Sequence, residues 1–257
     1  MEKIDSTFSP KESNSSENQL DYRSELEKMY LNTPIPTDEL MTQMGLYIRG
    51  SYLVKFLVLN DLYLRIKDIP GNILEFGTRF GHNLVVFENL RAIYEPFNKT
   101  RKILGFDTFE GYRNFSENDN SSEVFSESTY QTFDKYEDYL SNLLKVHEGN
   151  NVIGHINGLH EIVKGDVTET APKYFDEHKE SVVALAYFDM GLYSPTKAAL
   201  EAIKPRLVSG SVILLDEFTW DESPGEAIAF REVFPDRSEY VIEKSVFTPM
   251  RAIVTIT

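Results

Sequence analysis

The sequence predicts an α/β protein with a mostly parallel sheet of seven strands and a terminal antiparallel hairpin. Short apolar runs of strand length recur between stretches with helical periodicity, and the last two runs alternate as in an antiparallel pair. The first run, 73–76, ends at Gly77, and Gly81 follows. Parallel strands that are buried on both faces read as continuous apolar runs, and glycine turns at their ends let a ligand approach the backbone.

The first 68 residues are expected to form a tail and a helical cap. Residues 1–20 are polar and rich in serine, which predicts a disordered tail. Residues 21–68 carry helical patterns at about 22–31 and 48–66, so they are predicted to form an N-terminal helical cap.

Residues 69–257 are predicted to form one α/β domain. The expected strands lie near 73–76, 102–106, 160–164, 182–188, 211–215, 240–246 and 251–257, and the expected helices near 83–94, 133–147, 171–178, 196–205 and 226–234. The stretch 114–132 is rich in Ser, Glu and Asn and predicts a mobile loop. Together with the helix after it, this loop predicts a lid-like insertion at about 114–148.

Composition narrows the possible partners. The net charge of −15 disfavours nucleic acid and anionic membranes, because their phosphates would be repelled. The chain has no cysteine, which excludes disulfides and thiolate zinc sites. Neither an apolar signal core at the start nor a run of membrane-spanning length is present, so a cytoplasmic protein with a small-molecule partner is expected.

The turn after the first strand predicts a nucleoside cofactor. Its sequence, E-F-G-T-R-F-G at 75–81, is followed by a second apolar run that ends on Asp107. A carboxylate there can accept hydrogen bonds from both ribose hydroxyls. Glu75 would repel a pyrophosphate but attract the cationic amino acid end of S-adenosylmethionine. The pattern therefore favours that cofactor, and a dinucleotide-dependent oxidoreductase is the weaker alternative.

Other acids follow the later predicted strands, at the edge where ligands bind in such sheets. Asp166 could accept a hydrogen bond from the adenine amino group. Asp189, Asp216 and Glu217 could together hold a divalent cation, and all-oxygen ligands suit magnesium (Mg2+) or calcium. Such an ion would bind a substrate hydroxyl and lower its pKa.

From Met41 to the end, the chain resembles the macrocin O-methyltransferase family, metal-dependent enzymes that methylate sugar hydroxyls. The matching stretches are 73–81, G-F-D-T-F-E-G at 105–111, F-D-M-G-L-Y-S-P-T at 188–196, L-L-D-E-F at 214–218 and S-P-G-E-A at 223–227. The resemblance implies a Rossmann-like class I methyltransferase fold. It also implies that Asp189, Asp216 and the next acid, here Glu217, bind the metal.

One departure from the family concerns the general base. The family usually reads D-G-D-L-Y where this chain reads D-M-G-L-Y, so Gly191 replaces the second acid. Asp189 could accept the proton, or His160 or a metal-bound water could do so. The candidate cofactor-binding residues are Glu75, Gly77, Thr78, Gly81, Asp107, Thr108, Phe109 and Asp166.

These observations together predict an S-adenosylmethionine-dependent O-methyltransferase, with Mg2+ as a second cofactor. The expected acceptor is a hydroxyl of a sugar or of another polyhydroxylated small molecule. The substitution at Gly191 leaves one further alternative, a protein that kept the fold and serves as an assembly partner. Apolar residues on the N-terminal helices are compatible with a homodimer.

Overall fold

The structure is a computed structural model that describes residues 16–121, 126–127, 129–151 and 159–257. The chain divides into two compact units, Met1–Leu57 and Val58–Thr257. Most of the predicted tail, residues 1–15, lies outside the described residues. No helix among the described residues is long and apolar enough to cross a lipid bilayer.

The described residues of the first unit are mainly helical, and the predicted cap over 21–68 stays a prediction. Helix α1 spans Glu17–Leu31, α2 spans Thr37–Leu40, a 3-10 helix spans Met41–Tyr47, and α3 begins at Gly50. Helix α1 starts earlier than predicted, so residues 17–20 are helical and do not belong to a disordered tail. The cause is a capping box, in which Ser16 and Gln19 exchange side chain-to-backbone hydrogen bonds of 3.0 and 3.4 Å.

The second unit contains the predicted seven-stranded sheet. Its strands are β1 (Asn72–Phe76), β2 (Ile103–Asp107), β3 (Glu161–Lys164), β4 (Val183–Phe188), β5 (Leu207–Leu215), β6 (Tyr240–Lys244) and β7 (Ala252–Ile256). Their order is β3-β2-β1-β4-β5-β7-β6, with the first five parallel and β7 antiparallel to both of its neighbours. The prediction of fold class is confirmed.

Strand β5 begins four residues earlier than predicted, because the polar stretch around Ser211 conceals its first half. The Ser211 hydroxyl is fully buried. It donates a hydrogen bond to the Val183 carbonyl (2.7 Å) and accepts one from the Val208 amide (2.8 Å). These bonds replace regular pairing at a shift in register between β4 and β5.

Helices cover the sheet on both faces. They are the end of α3 (Gly50–Ile66), α4 (His82–Tyr94), α5 (Tyr136–Asn151), α6 (Val167–Glu177), α7 (Tyr193–Ile203) and α8 (Gly225–Val233). Helices α6, α7 and α8 pack side by side, while α4 packs against α5. Right-handed crossovers place these two groups on opposite faces.

Three aromatic rings form the base of the ligand-binding edge. Phe76, Phe106 and Phe188 are fully buried near the carboxyl ends of three adjacent strands. The ring of Phe76 stacks 4.8 Å from that of Phe106 and 4.9 Å from that of Phe188. Burying each such side chain stabilises the fold by about 1.5–3 kcal/mol. The packed rings therefore hold the strand ends, and the turns that follow them, in place.

Candidate active site

The turns after β1, β4 and β5 lie together at the carboxyl edge of the sheet. Sheet-like hydrogen bonds continue into them, from the Asp189 amide to the Phe76 carbonyl (2.9 Å) and from the Asp216 amide to the Phe188 carbonyl (3.1 Å). Gly77 has φ +91°, and a Cβ there would collide with the carbonyl oxygen of Asp189. Only glycine allows these turns to approach so closely.

Asp107 ends β2 and organises the turn that follows β1. Its Oδ2 accepts a 2.6 Å hydrogen bond from the Arg79 amide, and its Oδ1 accepts one of 2.6 Å from the Phe109 amide. Burial raises the pKa of Asp107, and these backbone hydrogen bonds oppose the shift. The carboxylate lies at the end of the second strand, as the sequence predicts. Its contact with a ribose stays a prediction.

Glu75 lies beneath the glycine turn. It is buried, and its Oε1 accepts a 2.6 Å hydrogen bond from the Asn83 side-chain amide in the first turn of α4. Thr78 is buried beside it, and Gly81, with φ +74°, precedes α4 directly. The candidate residues of this turn therefore come together, around a carboxylate that is fixed by α4.

Thr108 and Phe109 shape the start of the insertion. The Thr108 hydroxyl accepts a 3.1 Å hydrogen bond from the Glu110 amide. Phe109 is buried with φ +60°, and its carbonyl accepts hydrogen bonds of 3.1 Å from the amide and the hydroxyl of Thr132. Phe109 thus holds the two ends of the loop together, while Thr108 stabilises the local turn.

Asp166 is the N-cap of α6. Its Oδ1 accepts hydrogen bonds from the amide (2.9 Å) and hydroxyl (2.7 Å) of Thr168, and its Oδ2 accepts one of 3.1 Å from Asn114. The contact with Asn114 ties the end of β3 to the insertion. Its predicted hydrogen bond with adenine stays a prediction.

The three predicted metal ligands do converge. Asp189, Asp216 and Glu217 each offer a carboxylate oxygen, and these oxygens lie within 4.8 Å of one another. Oε2 of Glu217 is buried and accepts no hydrogen bond from any described residue. A buried carboxylate oxygen without a donor is costly, so this donor set fits a hard divalent cation such as magnesium or calcium.

Asp216 already carries a counter-charge that the sequence reasoning missed. The Arg251 guanidinium pairs with it through Nε and through Nη2, the latter 3.2 Å from Oδ2. The Tyr187 hydroxyl donates a further 2.7 Å hydrogen bond to Oδ1. Arg251 precedes β7, so the antiparallel end of the sheet also contributes to the site.

A fourth acid, Glu226, joins the turns that carry the other three. It is fully buried at the start of α8. Its Oε1 accepts hydrogen bonds from the amides of Met190 (3.3 Å) and Gly191 (3.2 Å), and its Oε2 accepts one from the Glu217 amide (3.2 Å). Its one signal in the sequence is its place in the S-P-G-E-A stretch, from which no role is predicted.

Burial and mutual repulsion perturb these acids. Burial, followed by the charge of Asp216, raises the pKa of Glu226 to about 8. Burial also raises the pKa of Glu217 well above its usual range, and Glu226, Asp216 and Asp189 raise it further. Such crowding favours protonation in the absence of a cation and ionisation in its presence.

Two tyrosines, one just before the insertion and one within it, lie near the acid cluster. The rings of Tyr112 and Tyr130 meet edge-to-face, with centroids 5.3 Å apart. Burial raises the pKa of the Tyr112 hydroxyl, and the charges of Glu217 and Asp189 raise it further. Tyr112 therefore lies in the field of the acid cluster, as a candidate wall of the acceptor pocket.

The insertion is also tied directly to the turns after β4 and β5. Oδ1 of Asp119 accepts a 2.7 Å hydrogen bond from the Tyr193 amide, and the Asn120 side chain donates one of 3.0 Å to the Asp221 carbonyl. Residues 122–125 and 128 of the predicted lid lie outside the described residues. The described part contacts both acid-bearing turns, which is compatible with a lid.

His160 does not fit its predicted role as a base. It precedes β3 and bonds the first residue of β2, so it lies at the amino edge of the sheet, opposite Asp189. Its Nδ1 accepts a 3.1 Å hydrogen bond from the Ile103 amide, and its Nε2 lies 2.8 Å from Oε2 of Glu88. Both ring nitrogens form hydrogen bonds in the buried interior, so neither is available to a substrate. His160 is therefore a structural residue.

Comparison with known proteins agrees with this geometry. A family described as "Methyltransferase domain" matches residues 74–218. A crystal structure of CalS11, described as a calicheamicin methyltransferase, is 37% identical, with a TM-score of 0.89 over 95% of this chain and 94% of that one. An apo structure of CalS11, described as a TDP-rhamnose 3'-O-methyltransferase, is 37% identical, with a TM-score of 0.81 over 95% and 96% of the two chains.

The O-methyltransferase NovP has the same fold, with 13% identity and a TM-score of 0.59 over 79% of this chain and 80% of that one. A search of curated proteins gave no match. The family match and the similarity to CalS11 favour a methyl transferase over a dinucleotide-dependent oxidoreductase. The chain therefore belongs to the methyltransferase-domain family, as an enzyme with the Rossmann-like class I fold.

Proposed function

We propose that this protein transfers the methyl group of S-adenosylmethionine to a hydroxyl of a sugar, as the macrocin O-methyltransferases that it resembles do. The observation that carries the proposal is its 37% identity, over 95% of the chain, to CalS11, which is described as acting on TDP-rhamnose. A nucleotide-linked sugar is accordingly the first acceptor to test.

The turn after β1 and the end of β2 would hold the cofactor. Asp107 would accept hydrogen bonds from the ribose hydroxyls, and the close-packed backbone at Gly77 would face the methionine part. Glu75, buried below this turn, supplies negative charge toward the cationic ammonium and sulfonium groups. The neighbouring turn after β4 would then place Asp189 near the methyl group.

Asp189, Asp216 and Glu217 would hold a divalent cation. When bound, the cation supplies Lewis acidity that lowers the pKa of the acceptor hydroxyl. Asp189 would accept the hydroxyl proton, because Gly191 leaves no second acid in that turn. Tyr112 and Tyr130 would exclude water on the side of the insertion.

Methyl transfer from a sulfonium is an in-line displacement without a covalent enzyme intermediate. Alignment of the two reactants can supply about 7–11 kcal/mol of the barrier reduction. Adjacent strand ends would hold the two reactants, and the stacked rings beneath the turns fix the positions of these strand ends. This arrangement favours such an alignment.

The direct test is methyl transfer from labelled S-adenosylmethionine to TDP-rhamnose, other TDP-sugars and simple methyl glycosides, with product detection by mass spectrometry. We expect a methylated sugar that EDTA suppresses and Mg2+ restores. Asp189→Asn should lower kcat by about 10²–10⁴-fold while cofactor binding is retained. No cofactor binding by calorimetry, or NADH binding in its place, would contradict the proposal.

A control separates the chemistry from the fold. Asp221→Asn changes an exposed acid on the segment between β5 and α8 that contributes only its backbone carbonyl to the insertion contact. It should leave kcat within about twofold of wild type, since surface substitutions have small effects. Unchanged methyl transfer by Asp189→Asn in EDTA would indicate a transferase that needs no metal.

A further inference from the structure

Arg79 occupies an unusual place in the turn after β1. Its backbone is left-handed, with φ +48°, and its amide is anchored to Oδ2 of Asp107 at 2.6 Å. The guanidinium carbon lies 4.8 Å from the ring centroid of Phe80 and 4.8 Å from that of Tyr130. The side chain is thus held by one ring of its own turn and one ring of the insertion.

The half-buried Arg79 side chain lacks a carboxylate partner of the kind that several other arginines have. Arg91, Arg101 and Arg251 each pair with a carboxylate. Nε of Arg79 is buried and donates no hydrogen bond to any described residue. Among the described residues, no carboxylate forms an ion pair with Arg79. A buried N–H without an acceptor is costly, so a charged donor held in this way is prepared for a ligand.

The position of the guanidinium limits what that ligand can be. Its charge acts on Asp107 at the predicted ribose site, and also on Tyr130. Burial raises the pKa of Tyr130 to about 12. The charges of Asp189 and Glu217 also raise this pKa, whereas the charge of Arg79 lowers it. Arg79 is therefore anchored to the predicted ribose-binding acid through its amide, and its guanidinium packs on a tyrosine ring that the charges of the acid cluster reach.

We propose that Arg79 binds an anionic oxygen group of a bound reactant, either the carboxylate of the cofactor or a phosphate of a nucleotide-linked acceptor. The inference rests on the proposed function, since both groups belong to its reactants. The planar guanidinium matches carboxylate and phosphate oxygens with paired N–H donors. Within an edge crowded with acids, it supplies the local positive charge that an anionic group needs.

Calorimetry on the full chain can test this with three probes: S-adenosylmethionine, decarboxylated S-adenosylmethionine and TDP. Arg79→Gln should weaken S-adenosylmethionine or TDP by about 10–100-fold, and Arg79→Lys should recover part of the loss. A loss for S-adenosylmethionine but not for its decarboxylated form identifies the cofactor carboxylate. A loss for TDP identifies the acceptor phosphate.

Two results would overturn the proposal. One is affinity for S-adenosylmethionine and TDP within about twofold of wild type. The other is an equal loss for both forms of the cofactor with TDP unchanged, which would indicate a purely structural role in the turn. Arg113→Gln is the matched control, because Arg113 is exposed and pairs with Glu110 at 3.0 Å. Methyl transfer by the wild type, measured in parallel, tests the proposed function separately.

Discussion

The pairing of Arg251 with Asp216 makes a quantitative prediction about cation binding. Arg251 places a permanent positive charge beside a proposed cation ligand, with Nη2 3.2 Å from Oδ2. A divalent ion and a guanidinium about 6 Å apart repel by about 5 kcal/mol at an effective dielectric constant of about 20. Even a quarter of this repulsion corresponds to about a tenfold change in Kd.

We therefore expect Arg251→Gln to bind Mn2+ at least about tenfold more tightly than the wild type. Tyr187 would still hold Asp216 through its hydroxyl at 2.7 Å, so the ligand stays in place. Without the cation the variant should be less stable, because breaking a buried ion pair costs about 3–5 kcal/mol. Added Mn2+ should consequently raise the Tm of the variant more than that of the wild type.

The assay is titration with Mn2+ by calorimetry or electron paramagnetic resonance at neutral pH, together with thermal unfolding with and without the ion. Arg231→Gln is the control, since Arg231 lies over the Phe218 ring at 6.0 Å and forms no ion pair with the cluster. Equal or weaker Mn2+ binding by a folded Arg251→Gln variant would refute the electrostatic reasoning. It would mean that Arg251 serves to orient Asp216 and not to set the charge of the site.

Four further changes test other parts of the structure. Asp107→Asn should weaken S-adenosylmethionine binding by about 1.5–3 kcal/mol in calorimetry, because a charged acceptor for the ribose is lost. Gly77→Ala should lower the Tm and abolish cofactor binding, since its methyl group would push the Asp189 carbonyl away. His160→Gln should lower the Tm while kcat stays within about threefold, whereas loss of a true base would cost about 10²–10⁴-fold. Burial raises the pKa of Glu88, but hydrogen bonds from His160 and an arginine outweigh it and lower the pKa to about 2. The lowered pKa stabilises the folded state by about 3 kcal/mol at pH values above 4.5, the ordinary pKa of glutamate. This stabilisation is lost as the pH falls toward 2. Urea unfolding should therefore show a gap between wild type and Glu88→Gln at pH 7 that shrinks by pH 3; a constant gap would contradict the assigned shift.

The strands were predictable where burial is continuous. All six residues of β4 are buried, which is the pattern of a central parallel strand. The beginning of β5 was not predictable, because Ser211 satisfies its hydroxyl with backbone partners that a sequence pattern does not reveal. The start of α1 was missed for a similar reason, since the cap at Ser16 uses polar residues that also typify a tail.

The acid cluster was predictable because parallel topology brings successive strand ends to one edge. Arg251 and Glu226 were not, because each reaches the cluster through a side chain on an element outside the parallel ladder. The predicted role of His160 as a base conflicts with the topology of the sheet. A residue that begins a parallel strand lies at the amino edge of the sheet, and only residues that end a strand reach the site.

The three backbone hydrogen bonds to Glu226 have a consequence for protein engineering. One carboxylate fastens the loop after β4 to the loop after β5, so the spacing between Asp189 and Glu217 is set from outside both loops. The connection at 219–224 could then be exchanged with that of a homologue to change acceptor choice. Such a chimera should keep its cation geometry for as long as the glutamate at the head of α8 is retained.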